Sequence, residues 1–365
     1  MITTMKNEGS SIKIEEKLKI LNRKRVTLIC IFLFLTLIVF LFSLFIGTSK
    51  ISFVDCILGL FNKSENNINR IMQNIRLPRA IAALICGGAL SISGLIMQTT
   101  LNNEIASPST LGVSNAATFG ANIAIIVYSG GFVAIGNNGD LLNAANPYIT
   151  SIIAFIFAVM STLIVLSLCK IKSFNPTSVV LAGLAIGALF SALTSIVQYY
   201  ASDIGLSAAI IWSFGDLSKT TFEKNIIIGV ITLLILIFFF ANSKKYNALL
   251  SGDESAKSLG VNVELLRFLS LVFASLLTSI SVALFGIIGF VGIVCPHICK
   301  KVIGNSHYFS IPLSFLCGSI LLILADTFSR IIANGNALPV GAITSLIGAP
   351  FFLYLIFAKK DKHLC

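Results

Sequence analysis

Charge is scarce in this chain: Asp, Glu, Lys and Arg make up 11% of its 365 residues, where a soluble domain carries roughly a quarter. That shortage leaves too little polar surface to solvate a folded chain of this length and excludes an ordinary soluble enzyme. Acidic residues are the scarcer sign, 15 against 26 basic ones, for a net charge of +11. The basic residues do not form a stripe on a domain but fall in short segments between apolar runs, which speaks for membrane orientation and against a nucleic-acid partner. No Gly-Lys dipeptide occurs, so no Walker A loop can form, which argues against ATP hydrolysis by this chain. Neither catalytic residues nor a cofactor are expected. The eight cysteines show no paired spacing, so no disulfide framework is implied.

What is present in abundance is apolar sequence, 56% of the residues, with a mean hydropathy of +0.94. Nine stretches lack any Asp, Glu, Lys or Arg: 26–49, 80–103, 105–139, 141–169, 173–202, 225–243, 268–296, 302–325 and 331–358. Each reaches the roughly 17–25 residues that a spanning helix needs. The chain reads as an all-α polytopic membrane protein. Residues 1–25 form a basic, amphipathic cytoplasmic tail, 26–358 a single transmembrane domain, and 359–365, with Lys359, Lys360 and Lys362, a second cytoplasmic tail.

Both ends inside require an even number of crossings, so one of the nine runs must hide two. Lys244 and Lys245 precede the 268–296 run and Lys300 and Lys301 follow it, and the positive-inside bias wants both pairs in the cytoplasm. Gly286, Gly289 and Gly292 allow a turn within the run, which predicts one helix near 265–286 and a shorter one near 288–303, about ten in all. With that topology 18 of the 26 basic residues lie inside and eight outside.

Ion-coupled transport usually needs ionisable residues inside the membrane, and Asp326 alone lies deep in an apolar stretch, four residues before Arg330 on the same helix face. Mutual neutralisation is the simpler reading of that pair, which leaves an ion-gradient-driven transporter as the weaker alternative. Cys295, His297 and Cys299 gather three soft donors in five residues, but a zinc site needs a fourth ligand that is not nearby, and no metal is expected. Gly183 and Gly187 form a small-xxx-small pair that lets helices approach closely. Leu111-Gly112-Val113-Ser114 and Leu259-Gly260-Val261-Asn262 echo one another, too briefly to establish an internal repeat.

The loop 244–267 is the most informative segment. Its centre reads as a short helix over 253–259 stopped by Gly260. Glu254, Ala256 and Gly260 fit a Glu-Ala-Ala-x-x-x-Gly pattern, with Ser255 in place of the middle Ala. That pattern resembles the one by which importer permeases of the ATP-binding-cassette (ABC) class engage their ATPase. Further motifs follow in order: Arg76-Leu77-Pro78-Arg79, Gly87, Gly94, Gln98, Pro108, Leu-Gly-Val-Ser at 111–114, Gly-Phe-Val-Gly at 289–292, Pro296-His297, Ala325-Asp326 with Arg330, Leu-Pro-Val-Gly at 338–341, and Ile-Gly-Ala-Pro-Phe-Phe at 347–352. Together they resemble the iron-siderophore and cobalamin permease family (FecCD/BtuC-like, type II ABC importers) over residues 26–358.

The resemblance implies a ten-helix subunit that pairs with itself or a paralogous permease around a central path. Two cytoplasmic ATPases would engage Gly252, Asp253, Glu254, Ala256, Leu259 and Gly260. An extracellular or periplasmic binding protein would deliver a ferric siderophore, haem or cobalamin, with Arg76, Arg79 and Arg330 as its docking cations on the outer face. The helix near 178–200, with Gly183 and Gly187, and the one near 340–358 would border the path, and the turn with Asn175, Pro176 and Thr177 would help close its cytoplasmic end. Two departures stand out. Glu104 follows Asn103 where the family has Pro, which predicts a less rigid turn over 101–109, and Ala337 replaces an acidic residue.

Overall fold

A computed structural model describes residues 2–47, 51–128, 147–171, 176–218, 220–332 and 338–357. The described residues form helices joined by short turns, without a β-strand. Helices satisfy every backbone polar group internally, the condition that lipid imposes on a spanning segment. In chain order they are α1 (Ile2–Phe45), α2 (Phe53–Leu60), α3 (Asn66–Arg70), α4 (Leu77–Thr100), α5 (Val113–Asn122), α6 (Pro147–Ile171), α7 (Pro176–Tyr199), α8 (Asp203–Ser213), α9 (Phe222–Ala241), α10 (Ser243–Leu249), α11 (Asp253–Ser258), α12 (Val263–Phe285), α13 (Val291–Ile303), α14 (His307–Ile332) and α15 (Val340–Phe357). A wide π-helical turn over Ile71–Arg76 joins α3 to α4, and another over Ile123–Tyr128 extends α5.

Among the described residues, seven helical segments are long and apolar enough to cross a bilayer. Three shorter segments among them bring the count to the expected ten: the apolar α5 with its π turn and α15, and α13. At 13 residues, α13 rises only about 20 Å. Its separation from α12 is the hidden tenth crossing. Gly286 at φ 76° ends α12, an extended segment follows, and Phe290 at φ 65° starts α13. Several short elements were not anticipated: α2, α3 and α10, and α8, capped by Ser202, whose hydroxyl accepts from Gly205 N at 3.2 Å, between α7 and α9. The 25/26 boundary is also invisible in the backbone, because α1 runs through it unbroken. The 359–365 tail lies outside the described residues.

Helix α4 is the axis of the bundle, and small residues make that possible. Gly87 faces the Gly318 backbone of α14, Gly88 lies under the Phe315 ring, and Gly94 meets the Gly292 backbone of α13; a Cβ at any of the three would overlap its neighbour. Serines pair where the backbones come this close, Ser91 Oγ with Ser314 Oγ at 2.7 Å. The turn after α4, where the proline is missing, is hydrogen-bonded within itself. Asn103 N donates to Gln98 O at 3.0 Å, the Asn103 side chain accepts from Ile105 N at 2.9 Å, and Ser107 and Thr110 form a reciprocal cap on the next turn.

Candidate functional site

At the cytoplasmic end, α10 and α11 form a bent arm between α9 and α12. Helix α11 is only six residues long and has a glycine in the positive-φ region at each side, Gly252 at 100° and Gly260 at 79°. Side chains other than glycine rarely adopt that backbone, so the two glycines set the helix off as a distinct unit. Asn262 restarts the chain as α12 by accepting from Leu265 N at 3.1 Å. The face of α11 turned to solvent carries Glu254, Ser255, Lys257 and Ser258, followed by Leu259, which is 70% exposed. A shallow depression of about 410 Å³ lies beside them, lined by Lys257, Gly260, Val261, Asn262, Val263 and Glu264. Ala256 does not belong to this surface. It was expected to press against a partner, but it is fully buried in this chain's own core, because a helix this short has one inward face and Ala256 occupies it.

Three polar links tie the arm to the spans. Arg267 of α12 forks onto both oxygens of Asp253, Nη1 to Oδ2 and Nη2 to Oδ1 each at 2.7 Å, and its Nε donates to Thr100 O at 2.9 Å, the last carbonyl of α4. Tyr246 Oη meets Ser270 Oγ at 2.7 Å, and burial pushes this phenol's pKa up, so it stays a neutral hydrogen-bonding group. His307 bridges Asn247 Oδ1 at 2.9 Å and Thr99 Oγ1 at 2.8 Å. Lys300 of α13 donates to Gln98 Oε1 at 3.0 Å, so α4 gathers contacts from α12, α13 and α14 over its last three residues.

At the outer end, the three arginines are not presented to solvent as expected. Arg76, Arg79 and Arg330 are only 4%, 6% and 8% exposed. Arg79 Nε pairs with Asp326 Oδ1 at 2.7 Å, and Arg330 Nη2 lies 3.2 Å from Asp326 Oδ2, an ion pair without hydrogen-bond alignment. Arg330 also donates to Ser43 O at 3.0 Å and Ile46 O at 2.6 Å, while Arg76 donates to Leu44 O at 2.9 Å and Phe45 O at 3.1 Å. Two guanidinium groups therefore cap the carbonyl end of α1, where the helix dipole favours cations. The physical reason for burial is this cap: the end of α1 folds over the cluster, and Gly47 packs directly on the Arg76 guanidinium.

The expected gate residues divide. Asn175 lies outside the described residues, Pro176 is the first residue of α7, and Thr177 is exposed one position later. Gly183 and Gly187 lie on the packed face of α7. They are buried against the 108–112 turn, with Asn115 Nδ2 donating to Gly187 O at 3.0 Å. The open face of α7 instead carries Thr177, Leu181, Leu184, Leu189, Ile196 and Tyr199. Sequence reasoning missed Arg267, Thr99, Thr100, Asn247 and His307 as a set, since their partners lie up to 208 residues away. The one usable signal was Arg267 itself, a basic residue at the mouth of an otherwise apolar span.

A multi-pass helical membrane protein with a short, glycine-flanked helix set apart in the loop between α9 and α12 is the class this fold defines. The model of the FecCD transport family matches residues 35–358, and the chain belongs to that family, the permeases of ABC importers in the cell membrane. It is 41% identical over 349 residues to a Methanocaldococcus jannaschii protein assigned as an ABC transporter permease, covering 96% of this chain and 99% of the relative. It is 33% identical to the hemin transport system permease of Yersinia pestis, over 83% and 88% of the two chains. A solved ABC transporter assigned to the metal-chelate type, in an inward-facing conformation, superposes with a TM-score of 0.79 at 27% identity, covering 91% of this chain and 99% of that one.

Proposed function

We propose that this chain is the membrane permease of an importer for ferric siderophores, driven by two partner ATPases that seat on α11. The observation that carries the reading is the hinge-flanked helix: Glu254, Lys257, Leu259 and Gly260 face outward from a six-residue helix whose opposite side is anchored by Ala256 and Asp253. Gly252 and Gly260 complete the contact. ATP-driven closure of the ATPases moves this arm, the spans tilt, and the path alternates between outer and inner openings. The path runs along the open faces of α7 and α15 where two copies, or this chain and a paralogue, meet; the turn at 175–177 lies at its cytoplasmic end. An apolar wall holds a bulky chelate weakly, as release requires. At the outer end a binding protein delivers the chelate. Arg79 and Arg330 share one carboxylate, Asp326, and Arg76 adds a third cation beside them on the end of α1; their excess positive charge beneath the surface supplies a field for an acidic partner.

Haem is the second reading, favoured by the relative in Yersinia pestis named for hemin transport. The test is uptake of ⁵⁵Fe-ferrichrome, ⁵⁵Fe-labelled haem and radiolabelled cobalamin in cells lacking their own importers, with the chain expressed beside its ATPase and binding-protein genes. Uptake of haem or cobalamin without the siderophore would overturn the substrate; gradient-driven uptake without the ATPase would overturn the mechanism.

A further inference from the structure

We propose that Arg267 is the positioning residue that carries movement of α11 into α4, through the chain Asp253, Arg267, Thr100. This inference rests on the reading of α11 as the ATPase contact and names the route that leaves it.

Three observations support the route. First, α11 lies between two glycines at φ 100° and 79°, backbone positions that let the short helix turn relative to its neighbours. A helix hinged on both sides transmits only through its side contacts. Its apolar contact is Ala256, a single methyl group that can slide, whereas the Asp253 fork fixes distance and angle through two parallel bonds of 2.7 Å. Second, the same guanidinium has a third donor on Thr100 O, at 2.9 Å, so one rigid planar group touches α11, α12 and α4 at once. Lysine would bring the same charge without that planar geometry. The other two links, Tyr246 to Ser270 and Asn247 through His307 to Thr99, begin on α10, before the Gly252 hinge, and so do not report the position of α11.

Third, α4 is suited to receive the movement. Its middle is close-packed through Gly87, Gly88 and Gly94 onto α14 and α13, and its outer end holds Arg79 against Asp326. A helix packed at this density moves as a body. Displacement at Thr100 thus reaches the outer cluster along one rod.

The experiment follows amide hydrogen exchange of the full-length chain, reconstituted with its ATPase subunits in lipid nanodiscs, with and without ATP plus vanadate. In the wild type, exchange is expected to change both in the arm, 243–262, and at the inner end of α4, 96–107. In Arg267→Gln and in Asp253→Asn, the change in the arm should remain and the change at 96–107 should be lost; Arg267→Lys should keep part of it. A merely structural role would raise exchange at 96–107 equally in both nucleotide states and leave the difference intact. Asp253 is half-exposed, so its variant guards against a folding failure in the arginine variants. A full nucleotide response at 96–107 in Asp253→Asn overturns the proposal, and so does a wild type that responds in the arm but not at 96–107. No response in the wild-type arm would instead remove the reading of α11 on which the proposal stands.

Discussion

Arg79 Nε and Asp326 Oδ1 lie 2.7 Å apart although 247 residues separate them in the chain, and Asp326 is completely buried. The carboxylate sits between two guanidinium groups, Arg79 from α4 and Arg330 from its own helix. Removing it leaves two buried cations facing each other, whereas removing Arg79 leaves the Asp326–Arg330 pair in place. Breaking a buried pair by deleting one partner costs about 3–5 kcal/mol, so Asp326→Asn should be strongly destabilising and Arg79→Gln less so. Thermal unfolding of the purified variants in nanodiscs checks the order. Equal melting temperatures for the two would show that Asp326 is not the hub.

The glycines of α4 predict a second ranking. At Gly94 a Cβ would overlap the Gly292 backbone, which has no side chain to rotate away, whereas at Gly229 of α9 the nearest atom is the tip of Ile85 at 3.4 Å. Overpacking a tight site costs about 1–3 kcal/mol. Gly94→Ala should therefore lower the melting temperature and the yield of folded protein, while Gly229→Ala should be neutral or slightly stabilising, because Ala favours a helix. Fluorescence-detected size exclusion with a heating step measures both.

These rankings show where the sequence was informative. Apolar runs and the lysine pairs at 244–245 and 300–301 were enough to count the crossings, because lipid and membrane potential act on each segment alone. The Asp326–Arg330 pair was legible for the same reason, being four residues apart on one helix. Arg79 as the third member was not, nor was Arg267 between Asp253 and Thr100, since neither partner is local. The arginines at 76, 79 and 330 illustrate the limit most clearly. Their positions near helix ends were correct, but whether they faced solvent depended on where the end of α1 folds, and no residue near them records that. Ala256 was recognised as part of a motif, yet only the helix's orientation decides which side of it is presented.

Gly260 separates backbone strain from partner contact. It sits at φ 79° with no atom within 4 Å of a notional Cβ, so any substitution bears the same left-handed cost, about 1–2 kcal/mol, without a clash inside the chain. Gly260→Ala should insert normally and keep most of its uptake. Gly260→Arg should insert equally well but lose uptake and co-purification of the ATPase, because the added side chain projects from the contact surface. Glu254→Arg should behave likewise. Normal uptake and ATPase co-purification in both arginine variants would exclude α11 as the contact.

Phe290 predicts an inversion of the usual glycine penalty. It occupies φ 65°, ψ −25° at the start of α13, a conformation that is costly for a bulky residue. What holds it there is its seat on Gly348 of α15, where a Cβ would come within 2.8 Å of Phe290 Cγ. Phe290→Ala loses the ring and keeps the strained backbone; Phe290→Gly loses the ring but relieves the backbone. Glycine is ordinarily the worse of the two by roughly 0.5–1 kcal/mol, through the entropy of the unfolded chain. Here the left-handed cost of about 1–2 kcal/mol borne by alanine outweighs that, so the glycine variant should unfold at the higher temperature. Gly348→Ala should be worse than either, since it evicts the ring and leaves the strain. If alanine at 290 proves the more stable, the turn between α12 and α13 relaxes out of the left-handed region once the ring is gone, and the break that creates the tenth crossing is held by Gly286 rather than by Phe290.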